Sequence, residues 1–150
     1  MVDFAKCHEQ THKITEMSNV FLYLIRERSM CDTECARQLF FEYVSQVREH
    51  MEAVDTRFCG SLIRSQDRTM VNTADRFLAG SMEIKRIFAS YLKDWCDERK
   101  HELKIADHDA FVKDTNQMFG LVLDRIQRET EVIYPLIRKL EEGMGQAAAG

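Results

Sequence analysis

The sequence predicts an all-α protein, an up-down-up-down antiparallel four-helix bundle, and three observations carry that expectation. One proline and six glycines in 150 residues leave little material for turns, so the elements must be few and long. Four successive stretches space their apolar residues as one face of a helix does. The breaks between these stretches are short, and short connections between long helices make antiparallel neighbours.

The first helix is expected over about 3–28, with Phe4, Cys7, Ile14, Phe21 and Ile25 on one stripe. "RSMCDT" interrupts it, and Asp32 or Thr33 is suited to cap a second helix over about 33–65. Phe40, Val44, Val47, Met51, Val54, Phe58 and Leu62 line one face of that helix for about three heptads. Asn72 or Thr73 is expected to open a third helix over about 72–100, with Phe77, Ser81, Ile84, Phe88, Tyr91 and Trp95 inward. Asp107 or Asp109 opens the fourth, about 107–142, whose stripe is Phe111, Met118, Val122, Ile126, Ile133 and Leu140. Pro135 should kink or shorten this helix. Gly143 should end it, leaving 143–150 as a flexible tail.

Composition narrows the function classes. Hydrophobic residues at 45% and charged residues at 31% describe a globular domain rather than a disordered chain. A formal charge of −4 with no basic face argues against a nucleic-acid partner. No uncharged apolar run approaches the roughly 18 residues of a membrane span. Asp3, Lys6, His8 and Glu9 deny the N-terminus the apolar stretch of an export signal. Cys7, Cys31, Cys35, Cys59 and Cys96 are odd in number and lack zinc-knuckle spacing, so reduced thiols in a cytoplasmic protein are expected. Cys31 and Cys35, beside Asp32 and Glu34, read as thiols at a capped helix start rather than as a redox loop. His101 and His108, flanking Asp107 and Asp109, read as a polar connection. The inward aromatics Phe77, Phe88, Tyr91, Trp95, Phe111 and Phe119 read as bundle core rather than as a haem or flavin box.

His8-Glu9-Gln10-Thr11-His12 matches the H-E-x-x-H of zinc proteases. A protease helix needs a preceding framework that builds a cleft and a third ligand downstream. His12 lies nearly opposite the Ile14–Phe21 stripe and His8 on its flank, so both histidines are expected to face solvent.

The second and fourth helices echo each other. Val47, His50, Met51, Val54 and Phe58 run parallel to Val122, Arg125, Ile126, Glu129 and Ile133. In the first and third, Thr11, Ile14, Ser18 and Phe21 run parallel to Ser81, Ile84, Phe88 and Tyr91. Two such helix pairs about a pseudo-twofold axis would set Thr11, His50, Ser81 and Arg125 at one level of the core. No strand is expected, and a strand pair within 35–100 would undo the repeat.

These spacings, with "HMEAVDTRF" at 50–58 and "RIQRETEVIYPLI" at 125–137, resemble the hemerythrin-like, or HHE cation-binding, four-helix bundles. The resemblance spans nearly the whole chain. It implies a histidine on the first and third helices, an H-x-x-x-E on the second and fourth, and a di-iron or other transition-metal centre. Here Thr11 and Ser81 stand at the two histidine positions, Val54 with Asp55 at the second-helix glutamate, and Arg125 at the fourth-helix histidine. His50 and Glu129 are kept.

Two ligands do not hold a di-iron centre, and Arg125 adds a permanent positive charge at that level. Arg125 is therefore expected to pair with Glu129 one turn away, in a core polar cluster of His50, Arg125, Glu129, Ser81 and Thr11. No residue set supplies an activated nucleophile, a phosphate loop or a nucleotide fingerprint. His50 as a phosphotransfer acceptor is disfavoured by its place near the core stripe and its acidic surroundings. The expectation is a non-catalytic regulatory or protein-interaction module without a cofactor. Its partner would be another protein or a second copy of the chain, with no nucleic acid and no membrane. The alternative is an iron- or dioxygen-binding protein with an altered metal set of His50, Glu129, His8, His12 and Asp55.

Overall fold

The computed structural model describes residues 4–149, and the side chains of residues 4–144. The described chain is an all-α helical bundle. Helix α1 is Phe4–Leu24, followed by a 3-10 turn over Arg28–Asp32. Helix α2 (Glu34–Ala53) continues through a π-helical stretch, Val54–Cys59, into α3 (Gly60–Arg64). Helix α4 is Arg68–Trp95. Helix α5 (His108–Arg128) continues through a second π-helical stretch, Glu129–Ile133, into α6 (Tyr134–Ala149). Four rods result, at 4–24, 34–64, 68–95 and 108–149.

The caps follow the chemistry of short polar side chains that compete for the first free amides. The Thr33 hydroxyl accepts from the Ala36 amide, and the Asp107 carboxylate from the Ala110 amide. The third rod departs from expectation. Asp67 caps α4 by accepting from the Thr69 and Met70 amides at 2.9 and 3.2 Å, so Asn72 and Thr73 lie inside the helix. An acid directly after the Ser65 break reaches the free amides first.

The same rod ends at Trp95 rather than near residue 100, and the expectation of no strand is corrected there. Cys96–Asp97 (β1) pairs antiparallel with Glu102–Leu103 (β2). The Asp97 carboxylate accepts from the Arg99 and Lys100 amides, which tightens the turn, and His101 closes it with a φ of 51°. β1 falls inside 35–100 and β2 outside it. The ladder occupies a connection and interrupts none of the four rods.

Pro135 is the second residue of α6, directly after the π-helical stretch. Proline has no amide to give the carbonyl four residues back, and its ring crowds that carbonyl. A widened turn just ahead of it lets the rod continue. Gly143 does not end the rod, which is helical to Ala149. A glycine inside a helix costs only about 1 kcal/mol, and Ala147, Ala148 and Ala149 favour the helix beyond it. Of the expected tail, Gly150 lies outside the described residues.

α1 packs on α2 and α5, while α4 packs on α3, the first π-helical stretch and α5. The apolar core is divided in two. One cluster gathers Ile14, Phe21, Phe40, Val47, Met51, Phe88, Phe119 and Val122, and the other Val54, Phe58, Phe77, Ile133, Tyr134 and Ile137. Every expected inward residue of the second rod is buried. Along each rod the change from one cluster to the other falls within about a turn of a polar residue: Gln10, His50, Ser81, and Arg125 with Glu129. Among the described residues no helix is long and apolar enough to cross a membrane.

Candidate functional site

A buried polar layer separates the two apolar clusters. His50, in the last turn of α2, is 1% exposed, and Glu129, at the start of the second π-helical stretch, is also 1% exposed. His50 Nε2 lies 2.6 Å from Glu129 Oε2, and Nδ1 lies 2.7 Å from Gln10 Oε1 on α1. Both ring nitrogens thus face oxygens. Which ring nitrogen donates depends on the tautomer. Burial pushes the Glu129 carboxyl above its ordinary value, and the His50 hydrogen bond and the charges of His50 and Arg125 oppose that shift.

Arg125 does not pair with Glu129 as the sequence suggests. It is 6% exposed, and its Nη2 donates to the Phe77 carbonyl on α4. Its Cζ stands 3.3 Å from the centroid of the Phe77 ring. Gly80 makes room for it: a Cβ there would lie 2.9 Å from Nη1, so a side chain at this position would make the guanidinium shift. Crossing to α4 gives Arg125 a carbonyl and an aromatic face and leaves Glu129 to His50. Burial lowers the Arg125 pKa, and the nearby charges of Asp55 and Glu129 raise it in compensation. The guanidinium stays charged throughout.

Ser81 and Asp55 form a second station of the layer. Ser81 Oγ donates to Asp55 Oδ2 at 2.6 Å, and Lys85 Nζ lies 2.8 Å from the same oxygen. Asp55 comes from the first π-helical stretch, one residue beyond the expected ligand position at Val54. Thr11 is corrected out of the layer, because its hydroxyl donates to the His8 carbonyl within α1 at 3.1 Å. Gln10 takes its place, since a longer side chain on the flank reaches the layer where a short one does not.

The other predicted metal residues lie elsewhere. His12 is exposed and pairs with Glu16 at 3.0 Å, while the exposed His8 stands edge-on to Tyr134 at 5.6 Å. His108 Nε2 lies 2.6 Å from the Ile25 carbonyl and ties the start of α5 to the residue that follows α1. His101 stacks on Phe41 at 4.6 Å. Cys31 is buried and Cys35 exposed, and none of the five cysteines forms a disulfide.

The donor set does not fit the two-metal centre that the family resemblance implies. His50 Nε2 and Glu129 Oε2 face each other, His50 Nδ1 faces Gln10, and Asp55 is held by Ser81 and Lys85. Among the described residues no three His, Cys, Asp or Glu side chains gather around one point. The void at this level is about 10 Å³, lined by Ile14, Val47, His50, Met51, Arg125 and Glu129 among others. That is roughly the volume of one water-sized probe. Arg125 adds a fixed positive charge on the same wall.

Neither a family model, nor a curated protein, nor a solved structure gives a match to this chain.

Sequence reasoning missed Gln10, Lys85, Phe77 and Gly80. Lys85 lies one helical turn beyond Ser81, and Gly80 is a helix-interior glycine next to a layer position. Both signals are present in the sequence. The Phe77 carbonyl, a backbone group, leaves none.

Proposed function

We propose that the chain is a non-catalytic regulatory or protein-interaction module. It is built on an up-down-up-down, hemerythrin-like bundle whose cation layer has been replaced by side chains that satisfy one another. The observation that carries this reading is the 2.6 Å contact between His50 Nε2 and Glu129 Oε2. In a cation layer an imidazole lone pair and a carboxylate converge on an ion. Here they converge on each other, and Gln10 occupies the remaining ring nitrogen.

Chemistry inside the bundle has little support. Burial pushes the Cys59 thiol up to about 12 and the Cys96 thiol up to about 11, so neither is a ready nucleophile near neutral pH. The polar layer instead sets the register of the rods against one another, as buried polar groups do in some bundles.

The test is metal analysis and absorbance of protein purified aerobically from iron-supplemented cells. Colourless protein, whose unfolding temperature is unchanged by a chelator or by added iron, manganese or zinc, is the expected result. About two irons or manganese ions per chain, or a chelator-sensitive midpoint, would replace this reading with that of a cation-binding protein.

A further inference from the structure

The groove between α4 and α5 above Arg125 does something the polar layer does not require. It is a cavity of about 550 Å³, in the size range of small-molecule sites, and Phe77, Gly80, Ile84, Leu121 and Val132 form its apolar lining. Arg125 lines it from inside the bundle, and Arg76 and Arg128 stand exposed on its rim. Glu83 and Asp124 also line it, but Glu83 already holds Arg86 through contacts of 2.6 and 3.1 Å. Three arginines against one carboxylate without a bound cation make this a positive spot on a chain of net charge −4.

Arg125 has more donors than the protein uses. A guanidinium carries five N–H groups, and here only Nη2 has an acceptor, the Phe77 carbonyl. The two neighbouring acids are occupied elsewhere, Glu129 by His50 and Asp55 by Ser81 and Lys85. Yet no nitrogen of Arg125 is among the sealed, unsatisfied polar atoms of the described side chains, which are Ser18 Oγ, Tyr43 OH and Tyr134 OH. Donors that lack a protein acceptor and are not sealed in the core open onto the groove. Gly80 keeps Nη1 at that wall, since any side chain there would displace it.

We infer that this groove binds a small oxyanion, a carboxylate or phosphate group on a compact molecule, with Arg125 as the buried anchor and Arg76 and Arg128 as rim contacts. The planar fork of an arginine suits two oxygens of such a group, and burial strengthens the contact. The apolar lining takes the carbon skeleton. This goes beyond the interaction-module reading and stands whether or not the layer holds a cation.

The full-length protein is titrated with inorganic phosphate and with succinate, each against sodium chloride at matched ionic strength. Heat of binding and the backbone amide signals of Phe77 and Gly80 are followed. Saturable binding of either probe, with both amides shifting along one curve, is expected, and the probe that binds tells phosphate from carboxylate. Arg76→Gln with Arg128→Gln changes only exposed residues and should weaken binding at least about tenfold, since two rim charges are lost. Gly80→Ala keeps every charge but moves the guanidinium, and should weaken it by about as much. No saturable binding of either probe beyond the salt control would overturn the inference. So would binding that the rim pair leaves unchanged.

Discussion

The second and fourth rods repeat the same backbone and reverse its chemistry. In each, a long helix carries a layer residue, His50 or Arg125, and a π-helical stretch begins four residues later, at Val54 or Glu129. Within each stretch Phe58 or Ile133 packs into the same apolar cluster, and the helix then resumes. The polarity does not repeat. The second rod places a titratable base at the layer with an apolar residue one turn on, and the fourth places a fixed cation with an acid one turn on. The pairs then cross between rods, His50 to Glu129, Arg125 to α4 and Asp55 to α4. A repeated backbone thus sets where the layer lies, while non-repeated side chains decide what it is. Each buried charge is answered from another rod, which couples the rods more tightly than a repeated pair within each would.

Breaking the cross-rod contact should have the largest effect. His50→Ala leaves a buried carboxyl at 1% exposure without its partner, and should cost about 3–5 kcal/mol in chemical unfolding. Arg125→Ala should cost less, about 1–3 kcal/mol, because it removes a carbonyl hydrogen bond beside an open groove rather than half of an ion pair. If the two variants cost the same, the asymmetry between the rods is wrong.

A pH series sharpens the comparison. The Glu129 carboxyl titrates higher in the folded chain than its ordinary value of 4.5, so above that value the folded state holds the proton more tightly. Its contribution is full below about 4.5 and is lost as pH rises through the higher folded value. Stability should fall over that window, by at most about 1.4 kcal/mol per pH unit for one group. Glu129→Gln should remove that slope, whereas Arg125→Gln should extend it to higher pH, because it removes a charge that opposes the shift. Urea midpoints across pH check both.

How much of this was legible in the sequence differs by residue. The inward face of the second rod was readable in full, because an apolar period of a straight helix carries its own burial. The repeat register also placed His50, Ser81, Arg125 and Glu129 in the core, where all four are buried. Their partners were not readable. A residue at the edge of a stripe can turn either way, and Gln10 rather than Thr11 reaches the layer because side-chain length is invisible to periodicity. Likewise Arg125 had a good acceptor one turn away, but across the interface α4 offers a carbonyl and an aromatic face, with room left by the missing Cβ of Gly80. The π-helical stretches shift the register by a fraction of a turn, too little to disturb an apolar pattern. The Asp97 turn depends on two local hydrogen bonds inside a stretch that still reads as helix.

The smallest effects lie outside the layer. Lys85→Met should cost no more than about 1 kcal/mol, since that side chain is 44% exposed and Ser81 still holds Asp55. His12→Ala should change stability by no more than about 0.5 kcal/mol, as befits an exposed ion pair of α1. A large effect of His12→Ala would return α1 to consideration as a ligand helix.

The claim that the would-be ligands bond to each other is tested most directly by a double-mutant cycle on His50 and Glu129. His50→Leu, Glu129→Leu and the double variant are compared with the parent by chemical unfolding. Each single change strands a buried polar partner, and the double change strands neither. The account predicts a double variant less destabilised than the sum of the singles by about 2 kcal/mol or more. Single effects that add to within about 0.5 kcal/mol would show that the two residues do not answer each other, and would contradict it.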